Sequence, residues 1–456
     1  MNIYMYLEVS NRELDSKLLL ATLAASKGHK VIISGLSEII NGLKTGVLAP
    51  GIFHTKSLTP SKKKINTHQE IINNKSVITS IDEESGISHF GYDEFIKGRY
   101  SDLTIDQSSA VFCWGSDDEE NLKKTFYKRS HKIFKTGNPR VDLWRSILSD
   151  YWTKPKRMPK KPFLLVSSNM ESTNTKTFYE GIKMHKAAGY FERDPGLFRK
   201  LFYHMSDDYK KIYEFIEAIK YLAKNNNEFD IVLRPHPTEN IKIWEFYLDG
   251  IPNVHVIKED SITTWVKNSF AVMHNGCTTA IETSISGKPL LTYEPFEMSY
   301  DHQFANAQGY KINSKEDLFI KVNDIFNSQK ISNSKKTTIK ISKELSQKLH
   351  IDNNELAAEK IVKVWESISN DSHSKTNNWF KFYWFIKIIN LKRFILKIMA
   401  KIFPYKFKPF KKNYKSMPFD KKDVSERVNR LQHILKIKDK IECKFLSKKT
   451  VLIKKT

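Results

Sequence analysis

The residues best suited to chemistry in this sequence follow a short apolar run at residues 271–273. The run ends in a turn made of His274, Asn275 and Gly276. Gly276 permits a backbone conformation that a side chain would obstruct. A short helix is predicted to begin at Thr278 and Thr279, and its first N–H groups, beside two hydroxyls, suit an anion. Glu282 lies one turn further on, where it can bind ribose hydroxyls. The segment is either a nucleotide phosphate site or an ordinary Thr-capped loop.

A second candidate loop follows the strand-like run at residues 229–233 and reads RPHP. Its four residues are Arg234, Pro235, His236 and Pro237. The two prolines restrict the loop and remove N–H donors, so its side chains are held in a fixed direction. Arg234 and His236 are suited to a phosphate leaving group, with His236 donating to an oxygen whose charge grows as the bond breaks. The alternative is a proline-rich turn with a surface histidine.

A third candidate is the acidic loop after the strand-like run at residues 76–81. It brings together Asp82, Glu83 and Glu84, with His89 shortly after them. Closely spaced carboxylates raise one another's pKa, as a general base or a sugar-attacking nucleophile requires. An acidic helix start gives the same pattern. The pattern does not single out one of the three carboxylates.

Several familiar chemical motifs are missing from the sequence. It contains no Asp-x-Asp triplet, the usual acidic metal clamp for a nucleotide diphosphate sugar. We therefore expect a reaction that needs no metal and no other cofactor. The sequence also lacks G-x-G-x-x-G, G-K-[ST] and G-x-S-x-G, which disfavours dehydrogenases, nucleotide triphosphatases and α/β-hydrolases.

The elements that position these loops alternate between short apolar strands and helices, which predicts parallel, doubly wound α/β sheets. A basic, proline-dotted linker at residues 154–162 separates two such series. In the second series, polar residues follow each strand, beginning with Ser168 and Asn169, and ligands bind at that edge of an open α/β sheet. We predict the GT-B architecture, with two Rossmann-like domains facing a cleft. The expected domains are residues 1–155, 156–370 and a basic helical tail at 371–456.

The charge and cysteine content restrict the class of protein. The formal net charge is +24, but 24 of the 75 Lys and Arg residues lie in residues 371–456 beside only six Asp and Glu. The rest of the chain therefore has no strong polyanion-binding character. Three widely spaced cysteines suggest a reducing compartment and no zinc site. No signal peptide or membrane span is recognisable, so we expect a cytoplasmic protein.

Six segments together resemble the bacterial surface carbohydrate biosynthesis proteins, relatives of capsule and lipopolysaccharide β-Kdo transferases. The segments are EVSNRELDSKLLLA, DEES, GNPRVDL, VSSN, RPHPTEN and HNGCTTAIET. The resemblance covers about residues 1–369 and is most specific in the last two segments. It implies a GT-B glycosyltransferase that uses a CMP-activated ulosonic acid, Kdo- or sialic-acid-like, as its donor.

The resemblance also implies roles for individual residues. In CMP-sugar transferases of this fold, an HP motif and a hydroxyl-bearing helix start hold the nucleotide phosphate, and Glu282 would reach the ribose. The expected nucleotide-sugar residues are Ser168, Asn169, Arg234, His236, Pro237, His274, Asn275, Gly276, Thr278, Thr279 and Glu282. The expected catalytic residues are Asp82, Glu83, Glu84 and His236.

Residues 379–403 combine aromatic residues, aliphatic residues and lysines. On a helical wheel from Ile386 onward, basic and apolar residues separate onto two sides, with Lys392 as an exception, as in a helix that lies in an anionic membrane interface. Basic residues up to position 415 would each add about 1 kcal/mol of attraction near the surface. The alternative is a helix packed on the protein body. A nucleic-acid-binding tail is disfavoured because the aromatics alternate with aliphatics on an apolar face.

These observations predict an enzyme on the inner face of the cytoplasmic membrane. Its expected partners are a nucleotide sugar, a glycan or lipid-linked glycan acceptor and an anionic membrane surface that binds residues 379–415, with no nucleic acid. Two enzymes of the same fold are alternatives: a CDP-alditol phosphotransferase of the teichoic-acid type and a UDP-sugar 2-epimerase. A basic RNA-binding or scaffold protein is the alternative from a different class.

Overall fold

The chain forms two compact units. The computed structural model describes residues 1–83, 85, 92–170, 173–174, 179, 182–183, 186, 191, 196–299, 303–331, 342–368, 377–402 and 418–456. The first unit contains Met1–Leu143 and Lys343–Thr456, and the second contains Trp144–Ser342. The chain therefore leaves the first unit and later returns to it.

The first unit is built on an eight-stranded sheet, of which six strands come from its N-terminal part. These strands are β1 (Asn2–Tyr6), β2 (Lys30–Ser34), β3 (Ile52–Thr55), β4 (Val77–Ile81), β5 (Ala110–Cys113) and β6 (Ile133–Lys135). They pair in parallel in the order β2-β1-β3-β4-β5-β6. Parallel strands are covered on both faces, which explains why these segments are continuous apolar runs.

Helices connect the strands of this sheet, as the alternating pattern predicts. They are α1 (Ser10–Ser26), α2 (Leu36–Lys44), α3 (Lys62–Asn73), α4 (Tyr92–Arg99), α5 (Asp102–Asp106), α6 (Ser116–Thr125) and α7 (Pro139–Trp144). Short 3₁₀ helices cover Tyr127–Lys132 and Ser146–Tyr151. Helix α1 ends where Gly28 adopts a φ of +85°, a left-handed conformation that favours glycine.

The second unit contains a six-stranded parallel sheet. Its strands are β7 (Phe163–Ser167), β8 (Asp230–Arg234), β9 (Val254–Val256), β10 (Ala271–His274), β11 (Leu290–Tyr293) and β12 (Tyr310–Ile312), in the order β12-β11-β10-β7-β8-β9. Its helices are α8 (Leu197–Lys224), α9 (Ile241–Leu248), α10 (Ile262–Asn268), α11 (Thr279–Ile285), α12 (Gln303–Asn306) and α13 (Lys315–Ile331). The predicted α/β fold class is confirmed in both units: the second sheet is entirely parallel, and the six N-terminal strands of the first sheet are parallel.

After the second unit, the described chain adds four helices and a hairpin to the first unit. The elements are α14 (Lys343–Lys348), α15 (Ala357–Ile368), α16 (Trp379–Ile402), α17 (Lys421–Ile434), β13 (Ile441–Ser447) and β14 (Thr450–Lys455). Strand β14 pairs antiparallel with β2, and β13 forms the edge of the sheet.

This arrangement corrects the predicted boundaries at residues 155 and 370 and the predicted tail at residues 371–456. Helix α15 belongs to the first unit, where the fully buried Trp365 donates from Nε1 to Thr79 Oγ1 at 3.0 Å. Residues 418–456 are a folded part of that unit, because β13 and β14 extend its sheet. The lysine content hid the hairpin from sequence reasoning, since edge strands commonly carry lysines on their exposed positions.

Leu452 provides a test of this correction. It is fully buried in the core that also contains Tyr4 and Phe382. We expect Leu452→Ala to lower the free energy of unfolding by about 2–5 kcal/mol, because it removes buried apolar surface and leaves a cavity. Urea denaturation followed by circular dichroism measures this change. Lys444→Ala on the exposed face of the hairpin is the control and should shift it by less than about 0.5 kcal/mol. If the two variants had the same free energy of unfolding, the assignment of β14 to the sheet of the first unit would be wrong.

Candidate functional site

The carboxyl ends of three neighbouring strands form the centre of the candidate site in the second unit. Strand β7 pairs in parallel with β10 on one side and with β8 on the other. In this register, Ser167 is the partner of both His274 and Arg234. The following loops therefore begin side by side, and the structure brings together the three segments that the sequence singled out in this unit.

Hydrogen bonds join the loops that follow β7 and β10. Asn169 Nδ2 donates to the Gly276 carbonyl at 2.7 Å, and Gly276 adopts a φ of +74°, as the predicted turn requires. The Thr279 hydroxyl is buried, and its oxygen accepts from Ser167 Oγ at 3.3 Å. Thr278 is exposed. Of the two hydroxyls expected at a phosphate, Thr278 is the accessible one, while Thr279 is turned toward the sheet.

His236 lies half-buried in the loop after β8, beside the exposed Pro237. Its Nδ1 lies 2.7 Å from Thr238 Oγ1 and accepts from the Thr238 N–H at 3.4 Å. Because Nδ1 accepts from the main chain, the neutral imidazole carries its proton on Nε2. The Nε2–H group is a donor of the kind that binds a phosphate oxygen.

Glu239 is a central residue of this site that sequence reasoning missed. Its side chain is buried and accepts hydrogen bonds from five donors. The donors are Ser168 Oγ, the N–H groups of Met170 and His236, Asn174 Nδ2 and Trp244 Nε1. The sequence did contain a signal, since a carboxylate three residues after His236 is placed to accept from N–H groups of the same loop.

Arg234 has partners that differ from the predicted phosphate. It is 8% exposed, and its Nη2 donates to the Asp260 carbonyl at 2.9 Å, while Nη1 donates to the Glu259 carbonyl. Burial lowers the pKa of Arg234 to about 10, so the guanidinium is charged at neutral pH. In this structure Arg234 fixes the loop after β9. Its role in phosphate binding stays a prediction.

His274 and Asn275 are also held by protein groups. The fully buried His274 contacts Thr292 Oγ1 through Nε2 at 3.0 Å, and that hydroxyl donates to the Gln308 carbonyl at 2.8 Å. Asn275 Nδ2 donates to the Tyr293 carbonyl at 2.8 Å. Both side chains thus bind the end of β10, and the turn at Gly276 that follows it, to β11.

Glu282 lies in the interior of the second unit and is 4% exposed. Its negative charge opposes the loss of the proton from Lys267, but burial still lowers the pKa of that lysine to about 8. Lys267 Nζ donates to the Trp144 carbonyl at 2.6 Å. The contact between Glu282 and a ribose stays a prediction.

The acidic loop of the first unit follows β4, as expected. Asp82 is 1% exposed, and its Oδ1 lies 3.4 Å from Arg99 Nη2, while its carbonyl accepts from Trp114 Nε1 at 2.6 Å. Glu83 is also buried. Glu84 and His89 lie outside the described residues. Asp82 is therefore held at the end of the strand, and Glu83 lies buried next to it.

A carboxyl group with a raised pKa does occur near this loop, but it belongs to Asp118. Burial raises the pKa of Asp118 to about 6, although hydrogen bonds from Ser85 Oγ and the Trp114 N–H lower it. Its side chain is 1% exposed at the start of α6. The Asp118 carboxylate therefore holds Ser85 and the Trp114 main chain together inside the first unit.

A buried ion cluster includes residues of the N-terminal segment EVSNRELDSKLLLA, at residues 8–21. Glu13 is fully buried, and its carboxylate binds Lys17 Nζ at 2.9 Å and Lys56 Nζ at 3.0 Å. Burial by itself raises the pKa of Glu13, but the two ammonium groups lower it from 4.5 to about 2. Lys56 also binds Glu8 at 2.5 Å. The cluster ties α1 to the loop after β3.

Within the ranges described, no three His, Cys, Asp or Glu side chains are grouped as metal ligands would be. The expectation of a metal-independent reaction stays a prediction.

Comparisons with known proteins identify the fold. No family model matches the chain, and no curated protein matches it either. A protein from Listeria monocytogenes described as a candidate UDP-N-acetylglucosamine 2-epimerase matches with a TM-score of 0.50 at 14% identity, over 80% of this chain and 96% of that chain. The chain has the GT-B fold.

Two further solved structures are similar at lower scores. The UDP-GlcNAc 2-epimerase of Methanocaldococcus jannaschii gives a TM-score of 0.48 at 12% identity, over 80% of this chain and 100% of that chain. A glycosyltransferase from Rickettsia africae gives 0.44 at 10% identity, over 81% and 99%. At these identities the likeness concerns the fold and not the reaction.

Glu13 gives a pH-dependent test of the first unit. At neutral pH, Glu13→Gln leaves two ammonium groups without their shared carboxylate, and we expect a loss of about 3 kcal/mol in the free energy of unfolding. Because the pKa of Glu13 is lowered on folding, its stabilising effect is complete above about pH 4.5 and disappears as the pH falls toward 2.

Urea denaturation of the wild type and the variant at pH 7, 4 and 3 measures this effect. The difference between them should shrink as the pH falls. The exposed Glu120→Gln on α6 is the control and should change little at any pH. A difference that stays constant with pH would show that the carboxylate charge is not responsible.

Proposed function

We propose that this protein is a glycosyltransferase of surface polysaccharide biosynthesis, for capsule or O-antigen, that transfers a ulosonic acid from a CMP-sugar to a glycan acceptor. The ulosonic acid is Kdo- or sialic-acid-like. The observation that supports this most directly is the position of His236 at an edge where three strand ends meet. The resemblance of RPHPTEN and HNGCTTAIET to β-Kdo transferases points to the same donor, and the GT-B fold is compatible with it.

The proposed reaction breaks the bond between the anomeric carbon of the sugar and a phosphate oxygen of CMP. That oxygen gains negative charge as the bond breaks, so a donor aimed at it stabilises the transition state. His236 supplies this donor through Nε2–H, and the exposed Thr278 adds a hydroxyl. A CMP-sugar carries one phosphate, so these groups serve without a metal clamp.

The acceptor hydroxyl loses a proton as it forms the new glycosidic bond, and a base takes that proton. We assign this role to the acidic loop of the first unit, which contains Asp82, Glu83 and Glu84. Asp82 lies directly after β4, with its Oδ1 3.4 Å from Arg99 Nη2, and Glu83 follows it.

The donor assignment is tested by thermal unfolding with CMP, CDP, UDP and GDP. A ligand that binds the folded state stabilises it. We therefore expect CMP, the nucleotide of the proposed donor, to raise the melting temperature most. His236→Ala should abolish most of that shift while changing the melting temperature of the free protein little. His433→Ala, an exposed histidine of α17, is the control and should respond to CMP as the wild type does. A larger shift with UDP would favour the 2-epimerase, and a larger shift with CDP the alditol phosphotransferase.

The proposed location is the inner face of the cytoplasmic membrane, with a glycan or lipid-linked glycan as acceptor. One face of helix α16 is packed on the first unit, as the alternative interpretation of this segment expected, so the proposed membrane contact depends on the opposite face. Phe382 and Ile386 are buried in the core of that unit, and Arg393 pairs with Glu38 on α2. Just before the helix, Asn377 Nδ2 donates to Asn2 Oδ1 at 2.9 Å. The helix is therefore fixed to the protein body.

The opposite face of α16 exposes large apolar side chains over its whole length. They are Phe380, Trp384, Ile388, Leu391, Phe394, Ile395, Ile398 and Ile402. At 1.5 Å per residue, this stripe is roughly 33 Å long. An exposed apolar stripe of that size marks an interaction surface. Residues 403–415 of the predicted membrane segment lie outside the described residues.

The charge of α16 favours an anionic lipid surface as the partner. The helix contains five lysines and one arginine and no Asp or Glu. Two copies packed face to face would bring like charges together, whereas anionic headgroups attract them. None of the helices in the described ranges is both long and apolar enough to span a bilayer.

Liposome sedimentation tests the lipid partner. The triple variant Leu391→Ser, Ile395→Ser and Ile398→Ser should lose binding to vesicles that contain phosphatidylglycerol, because it removes apolar surface from the exposed face and leaves the packed face intact. Phe246→Ser with Tyr247→Ser, which removes exposed aromatic surface from the second unit, is the control and should bind like the wild type. If the triple variant still sediments with vesicles, α16 is not the lipid-binding element.

A further inference from the structure

The carboxylate of Glu239 connects three segments around the candidate phosphate site. Oε1 accepts from Ser168 Oγ at 2.8 Å and from the N–H groups of Met170 at 3.0 Å and His236 at 3.2 Å. Oε2 accepts from Trp244 Nε1 at 2.9 Å and Asn174 Nδ2 at 3.2 Å. The donors belong to the loop after β7, the loop after β8 and helix α9. One side chain thus fixes these three segments together.

Glu239 and its hydrogen-bond partner Trp244 lie in the interior of the second unit. Trp244 is fully buried, and Glu239 is 2% exposed. On the other side, the Glu239 carbonyl accepts from Lys258 Nζ at 2.6 Å, and its N–H donates to the His236 carbonyl at 2.9 Å. The turn at residues 236–239 is therefore closed by the main-chain hydrogen bond and also by the hydrogen bond from the His236 N–H to the buried carboxylate.

The number of donors requires a carboxylate at this position. A carboxylate offers two acceptor oxygens, whereas the amide of glutamine offers one oxygen and two N–H donors. In Glu239→Gln the NH₂ group would face donors whichever way it turned, and at least two of the five hydrogen bonds would be lost. A buried donor without an acceptor costs about 1–3 kcal/mol, so the loops are expected to move rather than keep their positions.

We infer that Glu239 is the positioning residue of the candidate site, which sets the place of the His236 imidazole relative to the loop after β7. This inference rests on the proposed function, in which His236 donates to the phosphate of the nucleotide. Glu239 itself is buried beneath the loop and acts through the His236 N–H. Its loss displaces a donor that must lie within hydrogen-bond distance of the phosphate oxygen.

Nucleotide binding measured by calorimetry tests this inference. CMP should bind Glu239→Gln at least tenfold more weakly than it binds the wild type. Ser168→Ala removes one donor to the same oxygen and leaves the carboxylate, so we expect a smaller loss with the fold retained. Glu245→Gln, at an exposed position of the helix α9 that follows Glu239, is the matched control and should bind CMP like the wild type.

A double-mutant cycle separates positioning from a general loss of stability. If Glu239 acts through His236, the combined Glu239→Gln and His236→Ala variant should bind CMP within about threefold of His236→Ala alone. Losses that multiply across the two changes would overturn the inference, as would wild-type affinity in Glu239→Gln.

Hydrogen exchange gives a result that does not depend on the ligand. In the free protein, the amide protons of His236 and Met170 should exchange at least fivefold faster in Glu239→Gln, while those of β8 keep their wild-type rates. Unchanged exchange at both amides overturns the positioning role. If the wild type binds none of CMP, CDP, UDP and GDP, the proposed function fails, and the exchange rates alone then decide whether Glu239 positions the loop.

Discussion

The parallel pairing of β7 with both β8 and β10 is the constraint on which the candidate site depends. Parallel strands place their carboxyl ends at one edge of a sheet, so loops that are far apart in sequence begin next to each other. Here the shared register makes Ser167 the partner of Arg234 and His274. His236 and Thr278, about 40 residues apart in sequence, reach the same edge for this reason.

A second physical requirement explains why several polar residues near that edge do not face solvent. Buried polar groups need partners, and an unpaired one costs about 1–3 kcal/mol. Arg234 therefore donates to carbonyls after β9, and His274 and Asn275 bind groups on or after β11. These residues hold the loops in place, whereas His236 is half-buried and Thr278 is exposed.

The C-terminal part of the chain both extends the sheet of the first unit and exposes an apolar helix face. Strand β14 extends the first sheet and buries Leu452, while α16 packs on the same unit with one face and exposes the other. The packed face fixes the direction of the exposed face relative to the first unit. An apolar stripe held in this way would orient that unit on a surface, which a loosely attached tail cannot do.

The sequence by itself determined the α/β class, most of the strands and the three polar segments of the second unit, because apolar runs and strand-end residues are local signals. It also indicated the amphipathic character of α16. The tertiary structure decided which of those polar residues are accessible, since Thr278 and Thr279 are adjacent in sequence and only Thr278 is exposed. It also revealed Glu239, whose five donors come from separate segments, and the return of β14 to the first sheet. Contacts between residues distant in the chain depend on register and packing, and no local pattern specifies them.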